Sequence, residues 1–279
     1  MEEPVKERRH PKRKTNVISN TILVFAVGIF LFSAYKLYTI YDEYNKGDKE
    51  YQSIIEDVVS IEEPKETTDT EEEDSEGNAV FQVDFDKLQS INKEVVGWIR
   101  FENPSKISYP IVQAEDNDKY LKTTVEGKKN GAGSIFMDAN NTADFSDRNT
   151  FIYGHNMKNG SMFGQLRKYK SYDFYKENPY FYIYTPSGEE IKYQIYAVSI
   201  VEDTSESYNK YYTNDDDYLN YLKYIKSISR YDTGVEVTAQ SQLVSLSTCT
   251  NVTETQRLLV HGVRVAEPVA EGQVEETGE

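Results

Sequence analysis

The longest apolar stretch of the chain lies close to its N-terminus. Thr15 to Tyr35 are 21 consecutive residues without a charged side chain, and 21 helical residues span about 30 Å, the thickness of a bilayer core. Basic residues precede the stretch and acidic residues follow it. The pattern predicts a membrane anchor over residues 15–41, with residues 1–14 in the cytoplasm and the remainder outside the cell. A cleaved signal peptide is the alternative, but Ser33-Ala34 is a weak cleavage site and the run exceeds a typical signal core.

Two acidic segments flank the region that has the pattern of a folded core. Residues 42–80 carry 15 acidic and three basic side chains, and the 13 residues 267–279 carry five Glu and no basic residue. Glu62 to Asn78 and the tail cannot bury enough apolar surface to fold, whereas the first part of 42–80 has Tyr51, Ile54 and Val58 at loosely helical spacing. We therefore expect an extracellular stalk over 42–80, helical at most as far as Ile61, and a disordered tail over 267–279.

Residues 81–266 have the pattern of a folded domain that is mainly β. Short β-rich runs are separated by turn residues such as Asn103-Pro104 and Asn159-Gly160. Eight short strands predict a closed barrel, because closure removes exposed sheet edges. The predicted strands are Trp98–Phe101, Tyr109–Val112, Ser134–Met137, Thr150–Tyr153, Tyr180–Tyr184, Ile191–Val201, Gln242–Ser247 and Leu258–Val265.

Three helices are predicted at the periphery of this barrel. Asp84 can cap a short helix, and Asn214 can cap a longer one whose first turn contains three Asp residues. This second helix carries an apolar stripe between Tyr218 and Ile228. A further short helix is expected to start at Ser161.

Composition narrows the possible functions. The net charge of the chain is −16, and most of it lies in the stalk and the tail, so a nucleic-acid binder is not favoured, because a phosphate backbone requires a basic face. A single Cys excludes an intramolecular disulfide. One Cys and three His also argue against a closed structural zinc site.

Three residues at predicted strand ends carry candidate chemistry. His155 follows one strand, Cys249 ends another, and Arg257 opens the last one. If the last two strands are antiparallel neighbours, Arg257 returns to the level of Cys249. A thiolate, an imidazole and a guanidinium together have what acyl transfer requires. The residues alone leave other interpretations open, since Cys249 could be an inert packing residue and His155 a surface one. His261, between apolar positions of the last strand, is interpreted as structural.

Several motifs resemble one protein family. Leu246-Ser247-Thr248-Cys249 resembles the TLxTC signature of sortases, and Tyr153-Gly154-His155-Asn156 resembles their histidine motif. The resemblance covers about residues 84–265 in the right order, and Ser245 is one departure, at a position where the signature has Thr. Other motifs resemble class B sortases in particular: Val96–Ile99, Tyr109–Gln113, Asp116-Asn117, Tyr120-Leu121, Gly133–Asp138 and Ser161–Phe163.

The resemblance implies a fold and a reaction. The fold would be the eight-stranded sortase β-barrel with added helices. Cys249 would attack the Thr carbonyl of a C-terminal sorting signal in a secreted protein, and His155 would act as acid and then as base. Arg257 and the backbone N–H of Thr250 would stabilise the oxyanion. The remaining implied site residues, in the peptide groove or beside the oxyanion, are Asn117, Leu121, Ser247 and Thr248.

The resemblance also implies partners. An amine of a lipid-linked peptidoglycan precursor would resolve the acyl-enzyme, and no metal or organic cofactor would be needed. The enzyme would act at the cell membrane, where both substrates are found. Two other functions stay open: a membrane-anchored cysteine hydrolase that uses water as acceptor, and a non-catalytic cell-surface binding module.

Overall fold

A computed structural model of the chain describes residues 17–62, 80–250 and 252–266. The expected basic N-terminus, the acidic tail and the acid-rich part of the stalk lie outside the described residues. The chain divides into two units, residues 1–43 and 44–279. Helix α1 (Val17–Val58) begins in the first unit, and its apolar stretch is exposed. By length and composition this helix is a candidate membrane span.

The second unit contains the remaining elements. Its helices beyond α1 are α2 (Phe85–Ile91), α3 (Tyr172–Glu177) and α4 (Asp215–Ser227), with short 3₁₀ helices at Lys119–Leu121, Gly164–Lys170 and Glu206–Tyr208. Its strands are β1 (Val59–Glu62), β2 (Val80–Val83), β3 (Val95–Arg100), β4 (Ser108–Val112), β5 (Ile135–Met137), β6 (Asn149–Tyr153), β7 (Tyr180–Tyr184), β8 (Glu190–Glu202), β9 (Leu243–Cys249) and β10 (Gln256–Arg264).

Strands β3 to β10 close into a barrel. Their order around it is β10-β8-β7-β3-β4-β5-β6-β9, with β10 and β9 closing the circle. The pairs β4–β5 and β6–β9 are parallel, and the other pairs are antiparallel. The eight predicted strands are thus confirmed, with ends that differ by three residues at most. The eight-stranded mainly β fold is confirmed with them.

Side-chain caps are present at the start of two predicted helices, α2 and α4. The Asp84 carboxylate accepts the Lys87 N–H at the start of α2, and the Asn214 amide oxygen accepts the Asp217 N–H at the start of α4. The helix expected from Ser161 differs from the prediction, because a 3₁₀ helix begins only at Gly164. Met162 has a φ of 51°, and a right-handed helix cannot include a residue in that region.

Two apolar clusters hold the domain together. The first fills the barrel and includes fully buried Trp98, Ile111 and Leu246. The second lies between the barrel wall and α4, where Tyr218 and Leu222 pack on neighbouring strands. The apolar stripe predicted for α4 therefore faces the barrel and holds this helix beside strands β8, β9 and β10.

The end of α1 belongs to the barrel domain, which corrects part of the predicted stalk. Tyr51, Ile54 and Val58 lie on one helix face and are buried in the first cluster. The Tyr51 hydroxyl donates to the Gly133 carbonyl at 2.7 Å, and β1 pairs with β2. Residues 44–62 therefore pack against the barrel instead of extending from it. The helical spacing of these residues is visible in the sequence, but their apolar partners lie far along the chain.

Candidate active site

Three strand ends meet at one cavity of about 220 Å³. Cys249 ends β9, Arg257 is the second residue of β10, and His155 lies two residues beyond β6. All three line the cavity, so the structure brings together the residues with candidate chemistry. The cavity is also lined by the predicted substrate-binding or oxyanion residues Asn117, Leu121, Ser247 and Thr248, and by Phe136, Tyr153 and Gly154.

The register of β9 and β10 aligns the thiol with the guanidinium. Cys249 and Arg257 are directly opposed partners in this antiparallel pair, as expected from counting along the two strands. On the other side of β9, the parallel partner β6 aligns Tyr153 with Ser247. Cys249 is a half-buried free thiol. It therefore lies between the strand that carries Arg257 and the strand that leads to His155.

Glycine is required just before His155. A Cβ on Gly154 would lie 2.4 Å from the Ile135 side chain and 2.7 Å from the Phe163 ring, much closer than non-bonded carbon atoms approach. The Gly154 N–H also donates to the Ser247 carbonyl at 3.2 Å. The β6–β9 ladder thus continues to the residue before His155, and this fixes where the imidazole leaves the sheet.

Two hydrogen bonds orient the loop that carries His155. The His155 Nε2 lies 2.7 Å from the Leu121 carbonyl oxygen, and because a carbonyl can only accept, Nε2 carries the proton in this contact. The side-chain amide of Asn156 donates to the Cys249 carbonyl at 2.8 Å. The His155 loop is therefore tied directly to the residue that carries the thiol.

Backbone carbonyls and one carboxylate hold the Arg257 guanidinium at the cavity. Its Nη1 donates to the carbonyls of Glu254 and Gln256 at 2.6 and 3.2 Å, and Nη2 donates to Asp203 at 3.1 Å. A guanidinium has five N–H donors. Among the described residues these three bonds leave donors available for a ligand, while the side chain is only 23% exposed.

The predicted site residues Ser247, Thr248 and Thr250 lie next to Cys249 in the chain and differ in their hydrogen bonds. The Ser247 hydroxyl is 2.7 Å from the Tyr208 hydroxyl, and burial raises the pKa of Tyr208 to about 12 although this bond lowers it, so Tyr208 stays protonated at neutral pH. The buried Thr248 hydroxyl has no partner among the described residues. Thr250 lies outside the cavity lining, and its N–H donates to the Gln256 carbonyl at 3.1 Å.

Five residues around the cavity had no predicted role. Asp138 and Asn156 belong to motifs that the sequence analysis identified. The sequence did not show which residues they contact, so no role could be predicted for them. The other three lie in the segment between β8 and α4, where strand and helix periodicity are both weak. The five are Asp138, Asn156, Asp203, Tyr208 and Lys210.

His261 is a buried structural residue, as predicted. It is completely buried, and its Nδ1 lies 2.7 Å from the Ser245 hydroxyl, which in turn is 2.7 Å from the Asn149 amide oxygen. Since the hydroxyl has one proton for the amide oxygen, the His261 Nδ1 donates to it. The Nε2 has no partner among the described residues, and burial lowers the pKa of His261 from 6.5 to about 3.

We expect His261 to make folding stability depend on acid pH. In the folded protein the ring stays neutral down to about pH 3, whereas in the unfolded chain it binds a proton below about pH 6.5. The unfolded state therefore takes up the proton between these values, and the free energy of unfolding falls as the pH is lowered. The loss from pH 7 to 5 is about 2 kcal/mol.

Urea unfolding of the unit 44–279 at both pH values measures this loss. In His261→Asn, which keeps a donor near the Nδ1 position, the loss between pH 7 and 5 should be smaller by that amount. Equal losses in wild type and variant contradict the prediction.

Comparison with known proteins agrees with the fold. A model of the sortase domain matches residues 103–265. Sortase B of Listeria monocytogenes is 33% identical over 235 residues, which cover 83% of this chain and 89% of that protein. A solved sortase B from Bacillus anthracis has a TM-score of 0.66 and 36% identity, covering 82% of this chain and all of that one. A Staphylococcus aureus sortase B–substrate complex has a TM-score of 0.61 and 29% identity, covering 66% and 85%.

The closed eight-stranded barrel has Cys249, His155 and Arg257 around one cavity. The chain belongs to the sortase family, and this membership supports a cysteine transpeptidase. Within this family it is of class B, because sortases B of Listeria monocytogenes, Staphylococcus aureus and Bacillus anthracis match it in sequence or structure.

Proposed function

We propose that this chain is a membrane-anchored transpeptidase that cleaves a sorting signal after Thr and transfers the secreted protein to an amine of a peptidoglycan precursor. The observation that carries the proposal is the convergence of Cys249, His155 and Arg257 on one cavity. A related sortase B has been solved as a substrate complex, which supports substrate binding by this chain as well.

The first half-reaction forms a thioester. The Cys249 thiol gives its proton to His155 and its sulfur attacks the Thr carbonyl carbon, so that a C–S bond forms and the carbonyl oxygen becomes an oxyanion. When this intermediate collapses, the C–N bond breaks and His155 gives a proton to the leaving amine. Cys249 lines the cavity and is half-buried, which supports a nucleophile and disfavours the inert packing residue of a binding module.

The second half-reaction consumes the thioester. The acceptor amine attacks the same carbonyl carbon and loses a proton to His155. The C–S bond then breaks, and the Cys249 sulfur takes that proton from His155, which restores the thiol. The hydrolase alternative differs only in the acceptor, because water would then take the place of the amine. The two reactions use the same residues, so the acceptor has to be identified by experiment.

Arg257 is the oxyanion donor that the geometry supports best. It faces Cys249 across the β9–β10 pair, and its three bonds hold the guanidinium at the cavity. The Thr250 N–H is already bonded to Gln256. It can assist the oxyanion only after that bond opens, so we assign it a secondary role.

Anchoring would bring the enzyme to its substrates. The exposed apolar part of α1 is long enough to span a bilayer, and the basic residues before it place the N-terminus in the cytoplasm under the positive-inside rule. The barrel would then face the outside of the cell membrane, where secreted proteins and lipid-linked wall precursors are found.

Intact mass spectrometry tests the proposal. The full chain in detergent is mixed with NPQTN-like, LPxTG-like and SPxTG-like peptides, with an amine acceptor in half of the samples. We expect a peptide adduct on the wild type that the amine discharges faster than water does. If the adduct is discharged equally fast with and without the amine, the result supports the hydrolase. If no peptide forms an adduct, the result contradicts the proposal.

Replacing Arg257 should slow acyl transfer without removing the thiol. We expect Arg257→Ala to lower kcat/KM about 100- to 1,000-fold, as for loss of one oxyanion donor. Arg257→Lys keeps the charge but not the planar fork that reaches Asp203 and two carbonyls, so it should recover only part of this loss. The rate of adduct formation measures both.

A matched control lies on the same strand. Arg264 is near the other end of β10, where it pairs with Glu189 away from the cavity. Arg264→Ala should keep acyl transfer within about threefold of wild type, as expected for a partly exposed ion pair. Wild-type turnover in Arg257→Ala would remove Arg257 from the mechanism.

A further inference from the structure

A buried carboxylate lies directly behind the cavity wall. Asp138 follows β5, is 1% exposed and is not part of the cavity lining. Its Oδ1 accepts from the backbone and side-chain nitrogens of Asn140 at 2.9 and 3.1 Å. Its Oδ2 accepts from Asn117 at 3.2 Å, from the Tyr153 hydroxyl at 2.8 Å and from the Lys210 ammonium at 2.7 Å. One side chain thus connects three separate parts of the chain.

Lys210 provides the charge that balances this carboxylate. Its side chain is 20% exposed, and it forms an ion pair with Asp138. Burial alone would raise the pKa of Asp138, but hydrogen bonds from Lys210, Asn140 and Tyr153 outweigh it and hold the pKa below its ordinary value. Asp138 is therefore ionised at neutral pH, and removing Lys210 would leave a buried charge without its counter-ion.

Two of the groups that Asp138 holds line the cavity. The Asn117 amide is fixed at both ends, since its nitrogen donates to Asp138 and its oxygen accepts from the Ala139 N–H at 2.8 Å. Tyr153 is the last residue of β6, two positions before His155. The orientation of both groups in the cavity wall thus depends on the Asp138 carboxylate.

The third group that Asp138 holds, the Lys210 ammonium, belongs to the segment between β8 and α4. Two residues before Lys210, Tyr208 bonds to Ser247 on β9 and stacks on the Phe151 ring of β6 at 5.5 Å between centroids. Lys210 bonds to Asp138, the residue that follows β5. Because β6 lies between β5 and β9 in the barrel, this segment crosses over β6 and is fastened on both sides. Through Tyr208 it contacts Ser247, which lines the cavity that contains Cys249.

We propose that Asp138 and Lys210 are a positioning pair that shapes the groove for the sorting peptide. The inference rests on the proposed function and adds a determinant of peptide affinity to it. Neither side chain lines the cavity, so the pair acts through Asn117, Tyr153 and the segment that crosses β6. Its loss weakens peptide binding and leaves the reactivity of the Cys249 thiol in place.

Lys210→Met tests the pair in the full chain in detergent, with the peptide that acylates the wild type. We expect KM to rise about tenfold or more while kcat stays within about threefold, the result of losing binding energy shared by substrate and transition state. The rate of Cys249 alkylation by iodoacetamide should stay within about twofold. Lys210→Arg retains a cationic donor for Asp138 and should restore a KM close to that of wild type.

Further variants separate positioning from general damage. The double variant Asp138→Asn with Lys210→Met removes both charges, so it should fold without an unpaired buried carboxylate and still have a raised KM. Lys176→Met breaks an exposed pair with Asp173 on α3, and its KM should equal that of wild type.

Three results would overturn the inference. One is an unchanged KM in both Lys210→Met and the double variant. Another is a fall in thiol alkylation that parallels the rise in KM, and a third is an equal rise in the Lys176→Met control. A wild-type chain that forms no peptide adduct overturns the proposed function as well, whereas an active wild type with unaffected variants overturns the inference alone.

Discussion

Cys249→Ala is expected to form no acyl-enzyme with any sorting peptide. The chain has one cysteine, and an alanine methyl group cannot attack a carbonyl carbon, so the first half-reaction has no other thiol to use. Intact mass spectrometry should show the adduct on the wild type and only the unmodified mass of the variant. An adduct on Cys249→Ala would show that another side chain is acylated.

The fold should survive this substitution. Cys249 is half-buried at the end of β9, so the variant loses one sulfur atom without opening a large cavity in the core. We expect its Tm to lie within about 4 °C of wild type. Cys249→Ser is a second variant, in which a hydroxyl replaces the thiol with little change in shape. It should also lack the adduct, because an unactivated hydroxyl is a weak nucleophile.

His155→Ala is expected to lower turnover about 100- to 10,000-fold, the range for loss of a general acid–base group. Without the imidazole, the leaving amine must depart without its proton and the acceptor amine must lose its proton to water. Single-turnover formation and discharge of the thioester, followed by mass, measure the two half-reactions separately. Both should be slow in the variant.

His155→Gln distinguishes proton transfer from simple anchoring. In the structure the His155 Nε2 contacts the Leu121 carbonyl at 2.7 Å, and a Gln amide can also donate a hydrogen bond there but cannot transfer protons near neutral pH. We expect the Gln variant to be as slow as the Ala variant. A Gln variant with wild-type turnover would make His155 an anchor for the Leu121 loop instead of an acid–base group.

Much of the barrel and of the site was predictable from local pattern. The strand that ends at Tyr153 and the strand that ends near Cys249 follow from apolar runs bounded by polar or glycine residues. The alignment of Arg257 with Cys249 follows from counting along two antiparallel strands joined by a short loop, and the structure has this register. The caps at Asp84 and Asn214 were equally local, since each side chain bonds to an N–H three residues further on.

The predictions that failed depend on contacts between distant parts of the chain. Tyr51 is 82 residues from Gly133, whose carbonyl accepts its hydroxyl. The helical spacing of Tyr51, Ile54 and Val58 does not indicate that the surface they pack on is the barrel. The start of the 3₁₀ helix at Gly164 depends on the left-handed conformation of Met162. The Met162 N–H bonds to the hydroxyl of Tyr109, 53 residues earlier.

The sequence by itself determined the strands, the caps, the family and the three residues with candidate chemistry, because periodicity, turn residues and motifs are properties of neighbouring positions. Only the tertiary structure decided what surrounds those residues. Lys210 meets Asp138 across 72 positions, Tyr208 meets Ser247 across 39, and Asn156 meets Cys249 across 93. The physical reason is that closing the barrel and crossing β6 bring these groups together in space, and neither event is recorded in the order of adjacent residues.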